Sequence, residues 1–306
     1  MLYSDFNLLT KDNINYTIDM LRLRANITNE KYSYIQYMLK TCYYDNIKNF
    51  YESFSISDFK YNYSIELKEG ISYWFGFIHN SEYIQKGALS NPKTEFNFTI
   101  EFNPNKVPIN GFLSFVLKTI GFNNWIVKSC DIAMDLRINI LDLCGFDKKR
   151  YKDIRIFNAG LDNRTVYIGR TNNRIKIYNK KIESSLDYDL TRVEISTKID
   201  YDISKFDFYK LKINLPDIYT NNYLYSFSDY NNRTLLAVLY AVQNGFPLSD
   251  LSRDYKAKIK KLLEGGYKIN LDIQFCNDIL HKCINEIFKV IWLYTLNIYF
   301  FFYYCF

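Results

Sequence analysis

Residues 163–183 read NRTVYIGRTNNRIKIYNKKIE, and this stretch decides the fold of the region around it. Two runs rich in β-branched and aromatic residues, 165–168 and 175–178, flank the turn-forming residues 169–173, which predicts an antiparallel hairpin. By the two-residue period of a strand, Ile175 and Ile177 share one face of the second run. The other face carries Arg174, Lys176, Tyr178 and Lys180.

Tyr178 is the candidate nucleophile of this hairpin. A tyrosine hydroxyl among cations suits attack on a phosphodiester, because positive charge stabilises both the phenolate and the pentavalent phosphate. The chain contains 29 tyrosines. A packing role in the sheet therefore remains the alternative for Tyr178.

Positive charge is concentrated around the same hairpin. Residues 147–183 contain eleven basic and four acidic side chains, so the net charge of this window, +7, exceeds the +6 of the whole chain. That distribution favours a polyanionic partner more than the overall charge does.

The cysteines and histidines limit which cellular compartment and which metal chemistry can be expected. The six cysteines are scattered without a CxxC motif, and the first residues have no secretory signal pattern, so a cytoplasmic location is expected. His79 and His281 are the two histidines and lie far apart in the sequence. This excludes HExxH zinc chemistry and the paired-histidine metal motif of one large class of DNA-nicking enzymes.

The periodicity along the chain predicts an α+β fold. A largely antiparallel β-sheet domain flanked by helices is expected over residues 1–204, and a mainly helical region over 205–306. The predicted strands are 16–26, 71–78, 95–102, 126–137, 153–158 and 191–198, together with the hairpin. The predicted helices follow Thr28 and Pro108, with others near 140–147, at 235–242 and at 251–264.

Carboxylates on these strands are candidates for a metal centre. Asp131 and Asp135 share a face of one predicted strand, and two carboxylates at that spacing lie close enough to hold one Mg²⁺ or Mn²⁺. Glu101 projects from the polar face of another strand. A solvated strand face is the alternative for the aspartate pair. Glu194 is either a further ligand or the partner of a neighbouring cation.

The C-terminal region contains two further features. Residues 235–242 are apolar all round, which predicts a buried helix, whereas 251–264 are amphipathic with Arg253, Lys256 and Lys260 on one face. That basic face is either solvated surface or a DNA-binding surface. The uncharged aromatic tail 290–306 is shorter than the roughly 20 residues of a membrane span, so membrane insertion is not expected, although a tail anchor remains an alternative.

Four motifs resemble the trans-acting rolling-circle replication initiators of small plasmids. TIEFNPNK at 99–106 resembles the family's RIEFNPNK, and DIAMD at 131–135 resembles its DLAFD. YIG followed by IKIYNKKIE at 167–183 is similar to YFG followed by IRIYNKKQE, and RVEI at 192–195 matches RVEI. With weaker similarity around Ile18–Asp19 and in residues 252–256, the motifs follow the family's order over roughly residues 15–265.

The resemblance implies a function and a set of site residues. Tyr178 would nick one strand of an origin, keep the 5′-phosphate as a phosphotyrosine and release a 3′-hydroxyl primer. It implies Mg²⁺ or Mn²⁺ held by Glu101, Asp131, Asp135 and Glu194, origin DNA as substrate in double-stranded and exposed single-stranded form, a host helicase and a homodimer. The DNA-binding candidates are Arg170, Arg174, Lys176, Lys180, Lys181, Arg253, Lys256 and Lys260.

The chain also departs from the family pattern. The loop 169–173 is shorter, Cys130 stands where an arginine often precedes the acidic strand, and Lys176 replaces an arginine. Two alternatives to an origin-nicking enzyme therefore remain. One is a DNA-binding protein without catalysis, such as a regulator or a decayed mobile-element relic, and the other is a membrane-tethered protein.

Overall fold

The fold was analysed in a computed structural model of the 306-residue chain. It describes residues 9–11, 14–42, 47–50, 63–68, 71–79, 96–109, 111–146, 154–158, 161–169, 173–212, 217–220, 233–243, 246, 248–264, 268–269 and 272–303. The strands are β1 Leu9–Lys11, β2 Ile14–Ile27, β3 Ile47–Phe50, β4 Tyr63–Lys68, β5 Ile71–His79, β6 Phe96–Phe102, β7 Trp125–Leu136, β8 Leu143–Phe146, β9 Ile154–Phe157, β10 Thr165–Ile168, β11 Asn173–Asn179, β12 Thr191–Asp202, β13 Asp217–Thr220 and β14 Lys268–Ile269. The helices are α1 Asn29–Cys42, α2 Gly111–Ile120, α3 Lys180–Glu183, α4 Arg233–Gln243, α5 Arg253–Glu264 and α6 Ile273–Tyr303.

A large antiparallel sheet organises the described part of the chain. Its strands follow the order β3-β4-β5-β6-β2-β7-β12-β11-β10-β9, with β1 paired to β2 as the eleventh strand. Strands β14, β13 and β8 form a second, three-stranded sheet. The sequence-based prediction of an α+β fold with a largely antiparallel sheet and C-terminal helices is confirmed.

Helices α1, α2 and α6 cover one face of the large sheet. Alternate residues of the strands point towards them and form the hydrophobic core, as in β2, where Leu21, Leu23 and Ala25 are fully buried. Aromatic pairs join the two layers: Tyr16 of β2 meets Phe275 of α6 with ring centroids 5.0 Å apart. The opposite residues of the same strands are polar and form the other face.

Local signals explain where individual helices begin and end. The Thr28 hydroxyl accepts a hydrogen bond from the Lys31 amide at 3.4 Å, which fits its predicted role at the start of α1. Gly121 follows α2 with φ of 87°, a conformation that glycine adopts without strain. Its amide donates to the Leu117 carbonyl at 3.2 Å, as expected for a residue that closes a helix.

Two predictions for local structure were wrong. Residues 140–147 were expected to form a short helix, but a single 3₁₀ turn at Ile140–Asp142 leads directly into β8. The helix at 235–242 was expected to be buried all round, yet Tyr240 is 63% exposed, while Leu235, Leu239 and Val242 form a buried stripe. Helix α4 is therefore buried along one face only, although its sequence is apolar all round.

The region after residue 204 is mainly helical, as predicted, and part of it joins the core of the sheet. Cys276, Leu280, Cys283 and Ile287 of α6 belong to the same buried cluster as the strands. The division into domains at 204/205 stays a prediction. In the described part of the chain, no helix is both long enough and apolar enough to cross a membrane.

Candidate active site

The candidate site occupies the face of the sheet opposite the helices, here called the polar face. Three neighbouring strands, β7, β12 and β11, place their polar residues in register across it. One row joins Asp135, Arg192 and Tyr178; the next joins Ala133, Glu194 and Lys176; the third joins Asp131, Ser196 and Arg174. Residues separated by about 60 positions in sequence therefore meet on one surface.

Tyr178 lies near the end of β11, and its side chain is almost completely enclosed, with 6% exposure. Its hydroxyl donates a hydrogen bond to Glu194 Oε2 at 3.4 Å, which is longer than an ordinary hydroxyl–oxygen bond. The Lys176 ammonium lies 3.9 Å from the centre of the phenol ring. The tyrosine thus has an acceptor on one side and a cation over its ring.

The resting phenol is strongly held in its neutral form. Burial raises the pKa of Tyr178 far above its usual value of 10.0, and the charges of Glu194, Glu183 and Asp19 add to that effect. Arg192 acts in the opposite direction and lowers the pKa. For this oxygen to attack a phosphate, a nearby group would have to accept the phenol proton, and additional positive charge would be needed once substrate is bound.

Asn179 fixes the backbone immediately after the tyrosine. Its side-chain NH₂ donates to the Asp162 carbonyl at 2.9 Å, and its side-chain oxygen accepts from the Ile182 amide at 3.3 Å, which caps α3. Two of the predicted DNA-binding lysines lie on this short helix. Lys180 pairs with Glu183 and Lys181 pairs with Asp189, so both already have acidic partners.

Arg192 links the tyrosine to a buried carboxylate. Its Nε and Nη2 donate to the two oxygens of Asp135 at 2.6 and 2.8 Å, and its Nη1 lies 3.4 Å from Asp19. Burial acts against the charge of Arg192, but the hydrogen bond and charge of Asp135 outweigh it and raise the pKa of the guanidinium. Asp135 therefore positions a permanent cation beside Tyr178.

The carboxylates of the polar face repel one another. Burial raises the pKa of Asp131 to about 6, and the charges of Glu194, Glu101 and Asp19 contribute, against a hydrogen bond from Ser196 that lowers it. Burial and the charge of Asp19 likewise raise the pKa of Glu194, although Lys176 counteracts this. Such mutual repulsion is relieved when a cation binds between the groups.

Asp19 is a site residue that the sequence analysis did not assign. The register of β2 against β7 shifts between Ile18 and Met20, and this bulge turns Asp19 towards the polar face. Asn103 donates to Asp19 Oδ1 at 3.0 Å, and Asn105 donates to the Ile18 carbonyl, so the NPN segment after β6 holds the bulge. The feature of the sequence that could have identified Asp19 is the break in the alternation of apolar and polar residues around Ile18–Asp19.

The predicted metal ligands lie on the same face but not as one group. Asp135 is held by Arg192, and Glu101 of β6 is paired with Arg22 of β2. Across the described residues, no three His, Cys, Asp or Glu side chains are arranged to hold a metal ion. The four-carboxylate centre therefore stays a prediction.

The remaining predicted DNA-binding residues divide between two places. Arg174 lies on the polar face, where its guanidinium is 5.2 Å from the ring centre of Tyr167. Arg253, Lys256 and Lys260 lie on α5, which packs against α4 and is not part of the large sheet. Arg170 lies outside the described residues.

A cavity of about 430 Å³ opens on the polar face next to Asp131. It is lined by Met20, Arg22, Glu101, Lys128, Ser129, Cys130, Asp131, Arg174, Ser196, Thr197 and Lys198. The site thus combines Tyr178, this cavity and a set of mutually repelling carboxylates, Asp19, Glu101, Asp131 and Glu194, here called the acidic cluster.

Neither a protein-family model nor a curated protein matches this chain. Among solved structures, the chain is similar to a rolling circle replication initiator protein from Geobacillus stearothermophilus, with 10% sequence identity and a TM-score of 0.37. The similarity covers 82% of this chain and 97% of that one. At this identity and TM-score it does not establish the family.

Proposed function

We propose that this protein nicks one strand of an origin through Tyr178 and thereby initiates rolling-circle replication. The observation that carries the proposal is the hydrogen bond from the Tyr178 hydroxyl to Glu194 on a face that also holds Lys176 and Arg192. Nucleophile, proton acceptor and two cations are thereby brought together. The motif resemblance around residues 99–106, 131–135, 167–183 and 192–195 supports the same reaction.

The reaction is a transesterification at phosphorus. The phenol oxygen of Tyr178 forms a bond to the scissile phosphorus, and the bond from phosphorus to the 3′-oxygen breaks. Glu194 accepts the phenol proton, and the departing 3′-oxygen takes a proton from water. Lys176 and Arg192 stabilise the negative charge that develops on the phosphate oxygens and the phenol oxygen.

We further propose that Mg²⁺ or Mn²⁺ binds at the acidic cluster. The donors are all oxygens, which suits either ion, and the raised pKa values of Asp131 and Glu194 fit a site that gains from a bound cation. Asp135 and Glu101, the other two predicted ligands, each have an arginine partner and would have to exchange it. A divalent ion there supplies charge stabilisation at the phosphate.

Origin DNA, a host helicase and a second copy of the chain are the proposed partners. Arg174 and Lys176, which lie on β11 with Tyr178, are the proposed contacts to the strand that is cut. Arg253, Lys256 and Lys260 offer a basic helix face for duplex DNA, on which Arg253 and Lys260 are exposed.

The deciding experiment is covalent capture. Purified protein is incubated with single-stranded oligonucleotides from its own element and Mg²⁺ or Mn²⁺, then analysed by denaturing electrophoresis and peptide mapping. The wild type is expected to form an adduct at Tyr178, and Tyr178→Phe is expected to bind the DNA without forming one. Tyr167→Phe is the matched control, because Tyr167 lies opposite Lys176 on the neighbouring strand β10.

A DNA-binding protein without catalysis is the second candidate. The observation that favours it is the enclosure of Tyr178, whose side chain is 6% exposed, because burial raises the pKa of the phenol and favours its neutral form. It predicts salt-sensitive DNA binding with no adduct under either metal. Robust nicking by Tyr178→Phe would refute the tyrosine mechanism altogether.

A further inference from the structure

The cavity on the polar face contains more positive than negative charge. Four of its lining residues are basic, Arg22, Lys128, Arg174 and Lys198, and two are acidic, Glu101 and Asp131. We refer to it as the basic cavity. Glu101, Asp131 and Arg174 already have proposed roles in metal or DNA binding, but Lys128 and Lys198 have no role in the chemistry proposed at Tyr178 and Glu194.

The cations of the basic cavity are incompletely neutralised. Lys128 and Lys198 share one carboxylate, Asp200, at 2.5 and 2.7 Å. Burial lowers the pKa of Lys128, and the charges of Arg24 and Lys198 contribute despite Asp200. The Nε atom of Arg174, which lines the cavity, is buried without a hydrogen-bond partner among the described residues. An anion in the cavity would satisfy both needs.

Size and surroundings identify the anion as part of a nucleic acid strand. A volume of about 430 Å³ accommodates a group the size of a nucleotide. Trp74 of β5 lies opposite Glu101, a lining residue of the cavity, in the register of β5 on β6, and its side chain is 37% exposed. An exposed indole beside clustered cations offers a base a surface to stack on, which a free phosphate ion would not need.

The position of the cavity relative to Tyr178 indicates which end of the cut DNA strand it would bind. Arg174 and Tyr178 are four residues apart on β11, about 13 Å, and the Glu194–Lys176 row lies between them. In an in-line displacement the leaving oxygen departs on the side opposite the attacking oxygen. With the scissile phosphate placed over the Glu194–Lys176 row, between Tyr178 and the cavity, its 3′-oxygen would depart towards Asp131 and the cavity.

We propose that the basic cavity binds the end of the DNA strand that carries the 3′-hydroxyl. Phosphates lie against Lys128, Lys198 and Arg174, and a base stacks on Trp74. The assignment of the 3′ side rests on the proposed nicking function. Retention of this end would keep the primer terminus next to the site where the strand was cut.

Binding of the uncut strand is measured first, by fluorescence anisotropy with EDTA present so that no cleavage occurs. The test protein is the full chain with Lys128→Gln and Lys198→Gln together. Loss of two phosphate contacts on single-stranded DNA is expected to make the negative slope of log association constant against log salt concentration shallower by about 1.4. This corresponds to about 25-fold weaker binding at 0.1 M salt. Lys282→Gln, on α6 behind the sheet, is the matched control and should bind within twofold of wild type.

The side of the nick is then tested with the two product oligonucleotides, at the cleavage site mapped by covalent capture. The double variant should lose affinity for the oligonucleotide ending in the 3′-hydroxyl and retain it for the one beginning with the 5′-phosphate. Arg174→Gln, on a different strand, should repeat that selectivity, and circular dichroism checks that both variants fold.

The outcomes separate this proposal from the nicking function. Unchanged binding of the uncut strand by both variants, or a loss equal to that of Lys282→Gln, would overturn the cavity as a DNA site whether or not an adduct forms. A loss confined to the 5′-phosphate product would overturn the assignment of the 3′ side while nicking stands. Absence of any wild-type adduct refutes the nicking function, and the uncut strand still decides whether the cavity binds DNA.

Discussion

The pair of Arg192 and Asp135 allows a sharp test, because both side chains are largely enclosed and fully engaged with each other. Their side-chain exposures are 11% and 14%, and two hydrogen bonds of 2.6 and 2.8 Å join them. Replacing Arg192 by Gln leaves the Asp135 carboxylate in a poorly solvated place without its partner. Breaking a pair of this kind costs about 3 kcal/mol of the free energy of unfolding.

A double-mutant cycle isolates the interaction. Arg192→Gln and Asp135→Asn are each expected to destabilise the protein by about 3 kcal/mol, and the double variant by clearly less than the sum, because either single change already disrupts the same two charged hydrogen bonds. A coupling free energy of about 2 kcal/mol is expected. The measurement is urea denaturation followed by circular dichroism, with EDTA present to exclude bound divalent ions.

The control and the refuting result are also defined by the geometry. Arg192→Lys keeps the charge near Tyr178 but cannot form the two parallel bonds to Asp135, so it should recover part of the nicking rate and little of the stability. Single effects that add within about 0.5 kcal/mol would show that the pair is not coupled. The view that Asp135 positions Arg192 would then be abandoned.

Three further predictions concern the acidic cluster and the turn after α2. Burial and neighbouring carboxylates raise the pKa of Asp131 from 3.8 to about 6, so the native state binds this proton more tightly than the unfolded state. The stability that Asp131 contributes to the wild type should therefore fall as pH rises from about 4 to about 6, by at most about 3 kcal/mol. Asp131→Asn should lack that fall in urea titrations at pH 4 and 7, and an identical pH dependence in both proteins would contradict the assignment. Mg²⁺ or Mn²⁺ at 100 times its dissociation constant should stabilise the wild type by about 2.7 kcal/mol in thermal denaturation, and equal stabilisation of Asp131→Asn or Glu194→Gln would place the ion elsewhere. Gly121→Ala should cost about 1 kcal/mol in urea denaturation because φ at this position is 87°, and a loss under 0.3 kcal/mol would show that the turn after α2 relaxes.

The strands of the site were predictable because their residues obey a two-residue period. In the hairpin of β10 and β11, Ile175 and Ile177 are buried while Lys176 faces the polar side, as the sequence pattern indicated. The same alternation located β7 and β12. A sheet with one apolar and one polar face imposes this pattern on each strand separately, so a single segment is enough to recognise it.

The contacts between strands were not predictable in the same way. That Arg192 would hold Asp135 follows from the register of β12 on β7, and no local pattern specifies which residues of two distant strands lie opposite. Asp19 reaches the site through a bulge, which shifts the period by one residue. The basic cavity is lined by residues of five strands, β2, β6, β7, β11 and β12, which explains why Lys128 and Lys198 were not recognised from the sequence.

The central place of β2 in the sheet has a consequence for how the chain acquires its structure. This strand is synthesised well before its partners β6 and β7, as the pairing of Arg22 with Glu101, 79 residues away, illustrates. The contact between the Tyr16 hydroxyl and the Asp272 amide spans 256 residues. Apart from the short pairing of residues 14–16 with β1, one edge of β2 therefore stays unpaired until β6 has been synthesised and the other until β7 has been synthesised through Leu136. Loop closure over such lengths slows folding. We expect the nascent chain to depend on chaperones that shield an exposed strand until residue 136 has emerged.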